Sequence, residues 1–268
     1  MIKVIISGTA GRMGSKITKF ILQDPEIELV GAIECAGHPS NGCDAAQLVG
    51  EKVRGITLMS DEHLEDLLDE ADILIEFTNP EATLSHLKTC FAKGKGMVIG
   101  TTGFNDEQLL KIKEASLFIP ILISPNMSLG VNLLFDLAPK IAQMLGEGYD
   151  IEIIEAHHHH KKDAPSGTAI RLGELIATSL DRELKDIAVY GRQGLIGERN
   201  KQEIGFSTIR AGDIVGEHTV LFCTEGERIE LTHRAHSRDT FVRGAIQAAK
   251  FLSTKAPGYY SMTDVLSI

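Results

Sequence analysis

No stretch of this 268-residue chain approaches the roughly 20 apolar residues that a membrane-spanning helix requires. A helical transmembrane protein is thereby excluded. Proline is scarce, at 8 residues, and 43% hydrophobic with 24% charged residues is the balance of a folded globular protein rather than a disordered or collagen-like one. Positive charge is also short: 27 Lys and Arg stand against 37 Asp and Glu, a net charge of −10. Counterion release from nucleic acid or an anionic membrane needs a basic surface, so neither is expected as a partner, and an anionic small substrate would need a local positive patch. Only four cysteines occur, Cys35, Cys43, Cys90 and Cys223, scattered and without a CxxC pair. That pattern supports neither a disulfide framework nor a zinc ribbon. Met1 leads straight into apolar "IKVII", with no basic n-region, long apolar core or small-residue cleavage site, and a cytoplasmic protein is expected.

What is present is a change of pattern part-way along a chain long enough for two domains. The first half alternates short apolar runs, "IKVIIS" (2–7), "ELVGAIE" (28–34), "ADILIEFT" (71–78), "GMVIGTT" (96–102) and "IPILISPN" (119–126), with helix-like segments. Near-continuous apolar strands separated by helices predict an α/β fold with a parallel sheet covered on both faces. After about residue 128 one long helix, "VNLLFDLAPKIAQMLGEG", gives way to strands that alternate in and out, with "TEGE" (224–227) as a turn, predicting a second domain on a more open, antiparallel or mixed sheet. The tail "DTFVRGAIQAAKFLSTKAPG" reads as an amphipathic helix with Phe241, Ala245, Ala248 or Ala249, and Leu252 on one face.

Gly8, Gly11 and Gly14 lie between the first strand and the first helix. Glycines there let the backbone turn sharply and approach a pyrophosphate held on the helix N-terminus. The spacing is G-x-x-G-x-x-G rather than the commoner G-x-G-x-x-G, and a plain strand-helix turn is the bland alternative. Glu34, twenty residues beyond Gly14 at the end of the second strand, is placed to accept ribose hydroxyls and favours a dinucleotide site. Cys35 follows it, so no arginine stands there for a 2′-phosphate, although Arg12 lies in the loop; NADH is expected over NADPH.

The stretch "IEAHHHHKKDAPSGTA" (154–169) is too internal for a tag and lies between a strand and a helix. Neighbouring histidines on extended chain point to opposite faces and do not all converge on one ion, so no metal is expected. Ser166, Gly167 and Thr168 at the helix start offer capping hydroxyls and backbone N–H groups for a carboxylate. Lys161 and one imidazole add positive charge, and another histidine, titrating near neutrality, is suited to transfer a proton.

With "EFTNPEATLSHL", "GKGMVIGTTGF", "SPNMSLGVN" and "IGFSTIRAGDIVGEHTVLF" added to these two stretches, the chain resembles, in order and over most of its length, the 4-hydroxy-tetrahydrodipicolinate reductase (dihydrodipicolinate reductase) family of the diaminopimelate and lysine pathway. The resemblance implies a Rossmann-type nucleotide-binding domain, residues 1–127 and 239–268 with the C-terminal helix folding back, and an α+β substrate-binding and oligomerisation domain, residues 128–238, that assembles a homotetramer. It implies reduction by NADH or NADPH of a small dicarboxylate, with loss of its 4-hydroxyl as water. Carried over residue by residue, His157 is the proton donor and Lys161 its partner, while His158, Lys161, Ser166, Gly167 and Thr168 hold the substrate. The cofactor side comprises Gly8, Thr9, Ala10, Gly11, Arg12, Met13, Glu34, Phe77, Gly100, Thr101, Thr102, Ser124, Pro125, Asn126 and Met127. His159 and His160 carry no assignment; the family often has arginine in place of His159, and several relatives have arginine in place of Cys35. Two rivals remain at this level: another two-domain amino-acid dehydrogenase, sharing only the glycine loop, and a nucleotide-sensing regulator, which would need no proton donor.

Overall fold

The apolar runs that open the chain become the strands of a single parallel sheet. The computed structural model describes residues 1–266 and divides into two units, Met1–Ser128 with the segment from Asp239 onward, and Leu129–Arg238. The first unit begins with β1 (Ile2–Ser7), α1 (Gly14–Ile21), β2 (Ile27–Glu34), α2 (Ala45–Leu48), β3 (Leu58–Ser60), α3 (Leu64–Leu67), β4 (Ile73–Glu76), α4 (Pro80–Lys93), β5 (Gly96–Ile99), α5 (Asp106–Ala115) and β6 (Pro120–Ile123). The second comprises α6 (Leu129–Leu145), β7 (Asp150–His157), α7 (Gly167–Ser179), α8 (Leu184–Ile187), β8 (Ala188–Tyr190), β9 (Ile204–Arg210), β10 (Gly216–Thr224) and β11 (Glu227–Ala235). The chain then returns to the first unit as α9 (Asp239–Leu252), β12 (Gly258–Tyr260) and α10 (Met262–Leu266).

In the first unit the strand order is β12-β6-β5-β4-β1-β2-β3, with every pair parallel. The order reverses between β1 and β4, so the crevice beyond their carboxyl ends is where an open α/β sheet binds ligands. Both faces are covered, as the unbroken apolar strands require. On one face Ile5, Ile33, Leu74, Ile99 and Ile121 pack with Leu64, Leu87 and Ile112 from the helices. Also fully buried are Ile6, Ile75 and Val98 of the sheet, Ile17 of α1, and Val242, Ala245, Ala249 and Leu252 of α9. Helix α9 is pinned at its ends by Lys16 to Asp239 (2.6 Å) and by Lys250 to Asp24 (2.8 Å). Near its start it passes so close to the chain after β6 that a Cβ at Gly244 would overlap the carbonyl oxygen of Met127.

The second unit is built on a mixed sheet, β11-β10-β7-β9-β8, antiparallel from β11 to β7 and parallel from β7 to β8. The expected turn is a two-residue hairpin of Glu225 and Gly226, with Gly226 at φ 87°, a conformation that favours glycine. Ile151, Ile153, Ile204, Phe206, Val220 and Phe222 pack beneath Leu134, Ala138, Leu172 and Ile176 of α6 and α7. Strands β3 and β12 were not anticipated, because three residues are too few to show a period.

Alanine at a helix-interior glycine ordinarily gains about 1 kcal/mol in propensity, whereas overlap with a fixed backbone oxygen costs about 1–3 kcal/mol or more. Gly244→Ala is therefore expected to lower the melting temperature by several degrees; an unchanged or raised value in a calorimetric scan would show that the α9 contact yields freely.

Candidate active site

In the first unit the expected cofactor residues gather at the carboxyl ends of β1, β2, β4, β5 and β6. Gly8 (φ 74°) turns the chain out of β1, and a Cβ there would lie 2.8 Å from the carbonyl oxygen of Phe77. A Cβ at Gly11 would stand 3.0 Å from the carbonyl oxygen of Gly8, and one at Gly14 would overlap that same oxygen. Close backbone approach thus favours glycine at all three positions. Glu34 accepts the Ala10 N–H (2.8 Å), tying the end of β2 to the loop through one oxygen. Thr9 is fully buried and its hydroxyl donates to the Ile6 carbonyl (2.9 Å), so its side chain holds the turn. Arg12 and Cys35 are exposed, and Met13 leads into α1.

The Phe77 ring occupies the space that a Cβ at Gly100 would take. Thr101 is buried and its hydroxyl oxygen accepts the Thr78 N–H (3.0 Å), whereas Thr102 is exposed. Ser124 donates to the Asn126 carbonyl (2.7 Å), Pro125 is exposed, and Met127 is buried. Beneath this edge lies a group that sequence reasoning did not identify. Glu76, at the end of β4 and 0% exposed, meets His86 Nδ1 of α4 at 2.6 Å, with Asp61 3.8 Å from His86 Nε2 and Ser7 3.4 Å from Nδ1. Burial alone would lower the proton affinity of His86, but the Glu76 and Asp61 carboxylates outweigh it and hold the imidazole above its ordinary pKa.

In the second unit, β7 delivers the first histidine of the run to the sheet's buried face and the turn carries the others away. Residues i and i+2 of a strand share a face, so Glu155 lies beside His157, with Nδ1 to Oε2 at 2.5 Å. Parallel register places Arg210 of β9 opposite His157, and its guanidinium reaches both oxygens of Glu155, Nη1 to Oε2 at 2.8 Å and Nη2 to Oε1 at 2.7 Å. The Ser166 N–H also donates to Glu155 Oε1 (2.9 Å). Burial would raise the pKa of Glu155, but Arg210, His157 and the Ser166 N–H together hold it below its usual range. An ionised carboxylate only accepts hydrogen bonds, so His157 Nδ1 carries a hydrogen and Nε2 is the atom left to exchange a proton. Gly216, opposite on β10, leaves room for that edge of the ring: a Cβ there would lie 3.1 Å from Nε2.

Ser166 departs from its expected place in the carboxylate cradle. It is 2% exposed; its N–H serves Glu155, and its hydroxyl oxygen accepts the Ala169 N–H (3.2 Å) and meets His218 Nε2 (3.0 Å), so it caps α7 internally. Gly167 is exposed and has nothing within 4 Å of where a Cβ would stand, and Thr168 follows half-buried. Lys161 pairs with Asp163 at 2.9 Å. His158 is held below its ordinary pKa by lost hydration and then by Arg238, His160 and Lys161, which marks a local cluster of positive charge. His159 Nδ1 meets the Gly212 carbonyl (2.9 Å), and the ring of His160 lies 3.8 Å from that of His159. His218, beside His157 with ring centroids 5.1 Å apart, has its pKa pushed to about 3 by burial first and by His157 next. Among the described residues no three His, Cys, Asp or Glu are grouped to hold a metal ion.

Glu155, Arg210, His218 and Arg238 were missed in the sequence. The E-A-H spacing on a predicted strand was a readable sign for the first; the others come from strands and turns more than fifty residues away.

Two family models match the chain end to end, dihydrodipicolinate reductase N-terminus over residues 2–127 and C-terminus over 130–266. The chain belongs to the dihydrodipicolinate reductase family. It is accordingly an oxidoreductase of the reduction step in diaminopimelate and lysine biosynthesis. Relatives within the family include the 4-hydroxy-tetrahydrodipicolinate reductases of Anaeromyxobacter dehalogenans (strain 2CP-C), 48% identical over 100% of this chain and 98% of that protein, and of Methylococcus capsulatus, 50% identical over 100% and 99%. Among solved structures, a dipicolinate-bound dihydrodipicolinate reductase from Paenisporosarcina sp. TG-14 shares the fold with a TM-score of 0.76 at 24% identity, covering 97% of both chains. An amine dehydrogenase from Mycobacterium smegmatis shares it more distantly, at 0.61 and 12% identity over 98% of this chain and 95% of that one.

The Glu76–His86 pair makes stability depend on pH. Because the folded imidazole binds its proton more tightly than the ordinary value of about 6.5, its contribution is complete below that pH and is lost as pH rises through the higher folded value. The stability difference between the native chain and His86→Gln, from urea unfolding, is expected to be largest near pH 6 and to shrink towards pH 9. A difference that stays constant would remove His86 from the pH response.

Proposed function

We propose that this chain reduces 4-hydroxy-tetrahydrodipicolinate to tetrahydrodipicolinate with NADH in preference to NADPH, using His157 as proton donor and Lys161 as its partner. The observation that carries the assignment is the His157 imidazole, fixed through Nδ1 by Glu155 with Nε2 uncommitted, on the same carboxylate that anchors the start of α7. Family membership supplies the reaction. The dipicolinate bound in the Paenisporosarcina relative supports a small cyclic dicarboxylate as ligand.

Each turnover consumes one hydride and one proton and releases one water; the reduced nicotinamide, when bound, supplies the hydride. The loop Gly8–Met13 would hold the pyrophosphate, with Ala10 already fixed by Glu34 and the amides of Arg12 and Met13 at the N-terminal end of α1 as donors. The second oxygen of Glu34 would take the ribose hydroxyls, and Cys35 in place of a cation supports NADH. Phe77, Gly100 to Thr102, and Ser124 to Met127 would line the nicotinamide half. In the second unit, His158 and the N–H groups of Gly167 and Thr168 would bind the substrate carboxylates, with Lys161 adding charge.

Burial holds His157 below its ordinary pKa against the pull of Glu155, and Lys161 and Arg210 lower it further. An arriving dianion reverses that balance, since a nearby opposite charge favours the imidazolium. His157 thus takes up its proton together with substrate and gives it from Nε2. The same reading includes a cytoplasmic location and a homotetramer assembled on the face of the second sheet opposite α6 and α7, where Ile154, Leu221 and the exposed Ile209 lie.

The test is loss of absorbance at 340 nm with the dicarboxylate generated by a coupled synthase. NADH oxidation that depends on this substrate, faster than with NADPH, is expected; no oxidation by folded protein that binds either nucleotide would sink the proposal. His157→Gln should lower kcat by about 10²- to 10⁴-fold with little change in KM, while Lys161→Ala should impair both. Because a protonated His157 is required, kcat/KM should fall with rising pH from below pH 6.5, and kcat only at higher pH.

A further inference from the structure

We propose that Arg210 is a positioning residue for the reductase reaction: by gripping both oxygens of the buried Glu155, it lets that carboxylate orient the His157 imidazole through Nδ1 without capturing the proton that Nε2 must exchange. The inference rests on the reading of His157 as the proton-transfer residue, and it concerns what makes that residue able to act.

The molecule contains its own comparison. Two glutamates almost without solvent access each hold a histidine Nδ1 at nearly the same distance, Glu76 with His86 at 2.6 Å and Glu155 with His157 at 2.5 Å. A buried carboxylate at that distance ordinarily stabilises imidazolium strongly. Around Glu76 the remaining partners are neutral or acidic: Thr78 donates to its second oxygen, and Asp61 adds a further negative charge beside His86. Around Glu155 both oxygens are already engaged by a guanidinium, and Ser166 N–H and Thr208 Oγ1 (3.3 Å) complete its shell. The two imidazoles shift in opposite directions, His86 above its ordinary value and His157 below it. Burial lowers both imidazoles; at His86 two carboxylates outweigh it, whereas at His157, whose carboxylate is shared with a guanidinium, burial prevails and Lys161 and then Arg210 lower the ring further.

The charged and titratable groups facing His157 are Glu155 on its own strand, Arg210 on β9, His218 on β10 and Lys161 in the following turn. His218, with a pKa near 3, stays neutral over the working range. The negative field at the ring therefore comes from Glu155, and Arg210 is the group bound directly to it. Arg210 Nη2 also donates to the Asp163 carbonyl (2.6 Å), and Asp163 in turn pairs with Lys161. One guanidinium thus sets both the imidazole and the turn that carries its partner lysine.

The experiment is a pH titration of the full chain labelled with ¹⁵N-histidine, the His157 signals being assigned by their loss in His157→Gln. In the native chain the neutral ring is expected as the Nδ1–H tautomer, titrating below the ordinary value. In Arg210→Gln the midpoint should rise by at least about one pH unit, a roughly tenfold gain in proton affinity, and the pH limb of kcat should move the same way. Arg210→Lys, which keeps the charge but not the two-point grip, should shift less in the same direction, and it serves if the glutamine variant does not fold. Adding Glu155→Gln to either variant should abolish the rise. A midpoint that stays in place, or falls, in folded Arg210 variants overturns the inference, as does a lowered kcat with an unmoved pH limb, the mark of a merely structural role. If His157→Gln retains full turnover, the proton-donor reading fails instead, while the titration still decides what Arg210 does to the ring.

Discussion

A single carboxylate that water barely reaches organises the polar end of the second unit. Glu155 is 1% exposed, and an unpaired charge in such a place would cost several kcal/mol. It is satisfied by a guanidinium from β9, an imidazole two residues along its own strand, the N–H of Ser166 and the hydroxyl of Thr208. Each of these groups is fixed by the need to satisfy it. The helix start with Gly167 and Thr168, the ring plane of His157 and the turn held at Asp163 all inherit their positions from that requirement. Removing one partner strands the charge for all the others, so the group acts as a unit.

The first unit reaches its geometry by other means. Its loop is shaped by backbone proximity: Gly8 faces the carbonyl oxygen of Phe77, Gly11 and Gly14 face that of Gly8, Phe77 fills the space beside Gly100, and Gly244 lets α9 meet the carbonyl of Met127. Among the described residues, the buried charged groups of this unit are Glu76 and His86, where no cation intervenes and the imidazole is held above its ordinary pKa. The two acid–imidazole pairs differ in what holds the second oxygen of the carboxylate, the Thr78 hydroxyl at Glu76 and the Arg210 guanidinium at Glu155.

The fold alone does not choose between these uses. Dehydrogenases of about 12% identity share the architecture with TM-scores near 0.6, as expected where function resides in sites carried by a common scaffold.

The sequence by itself determined the element types, the parallel first sheet and the glycine loop, because apolar period and glycine placement are local properties of the chain. It also singled out His157, since a strand entering and a helix leaving bracket the histidine run. It left β3 and β12 unseen, three residues being too short to carry a period, and gave no sign that the Ser166 N–H and the Thr9 hydroxyl bond to Glu155 and Ile6 within the protein. Tertiary structure alone decided that Arg210 and His218, more than fifty residues from Glu155, would stand on either side of it, and that Arg210 would neutralise it. Strand register across a sheet is set by the packing of whole faces rather than by neighbours in sequence. The guanidinium that grips Glu155 is therefore a partner that no local pattern names.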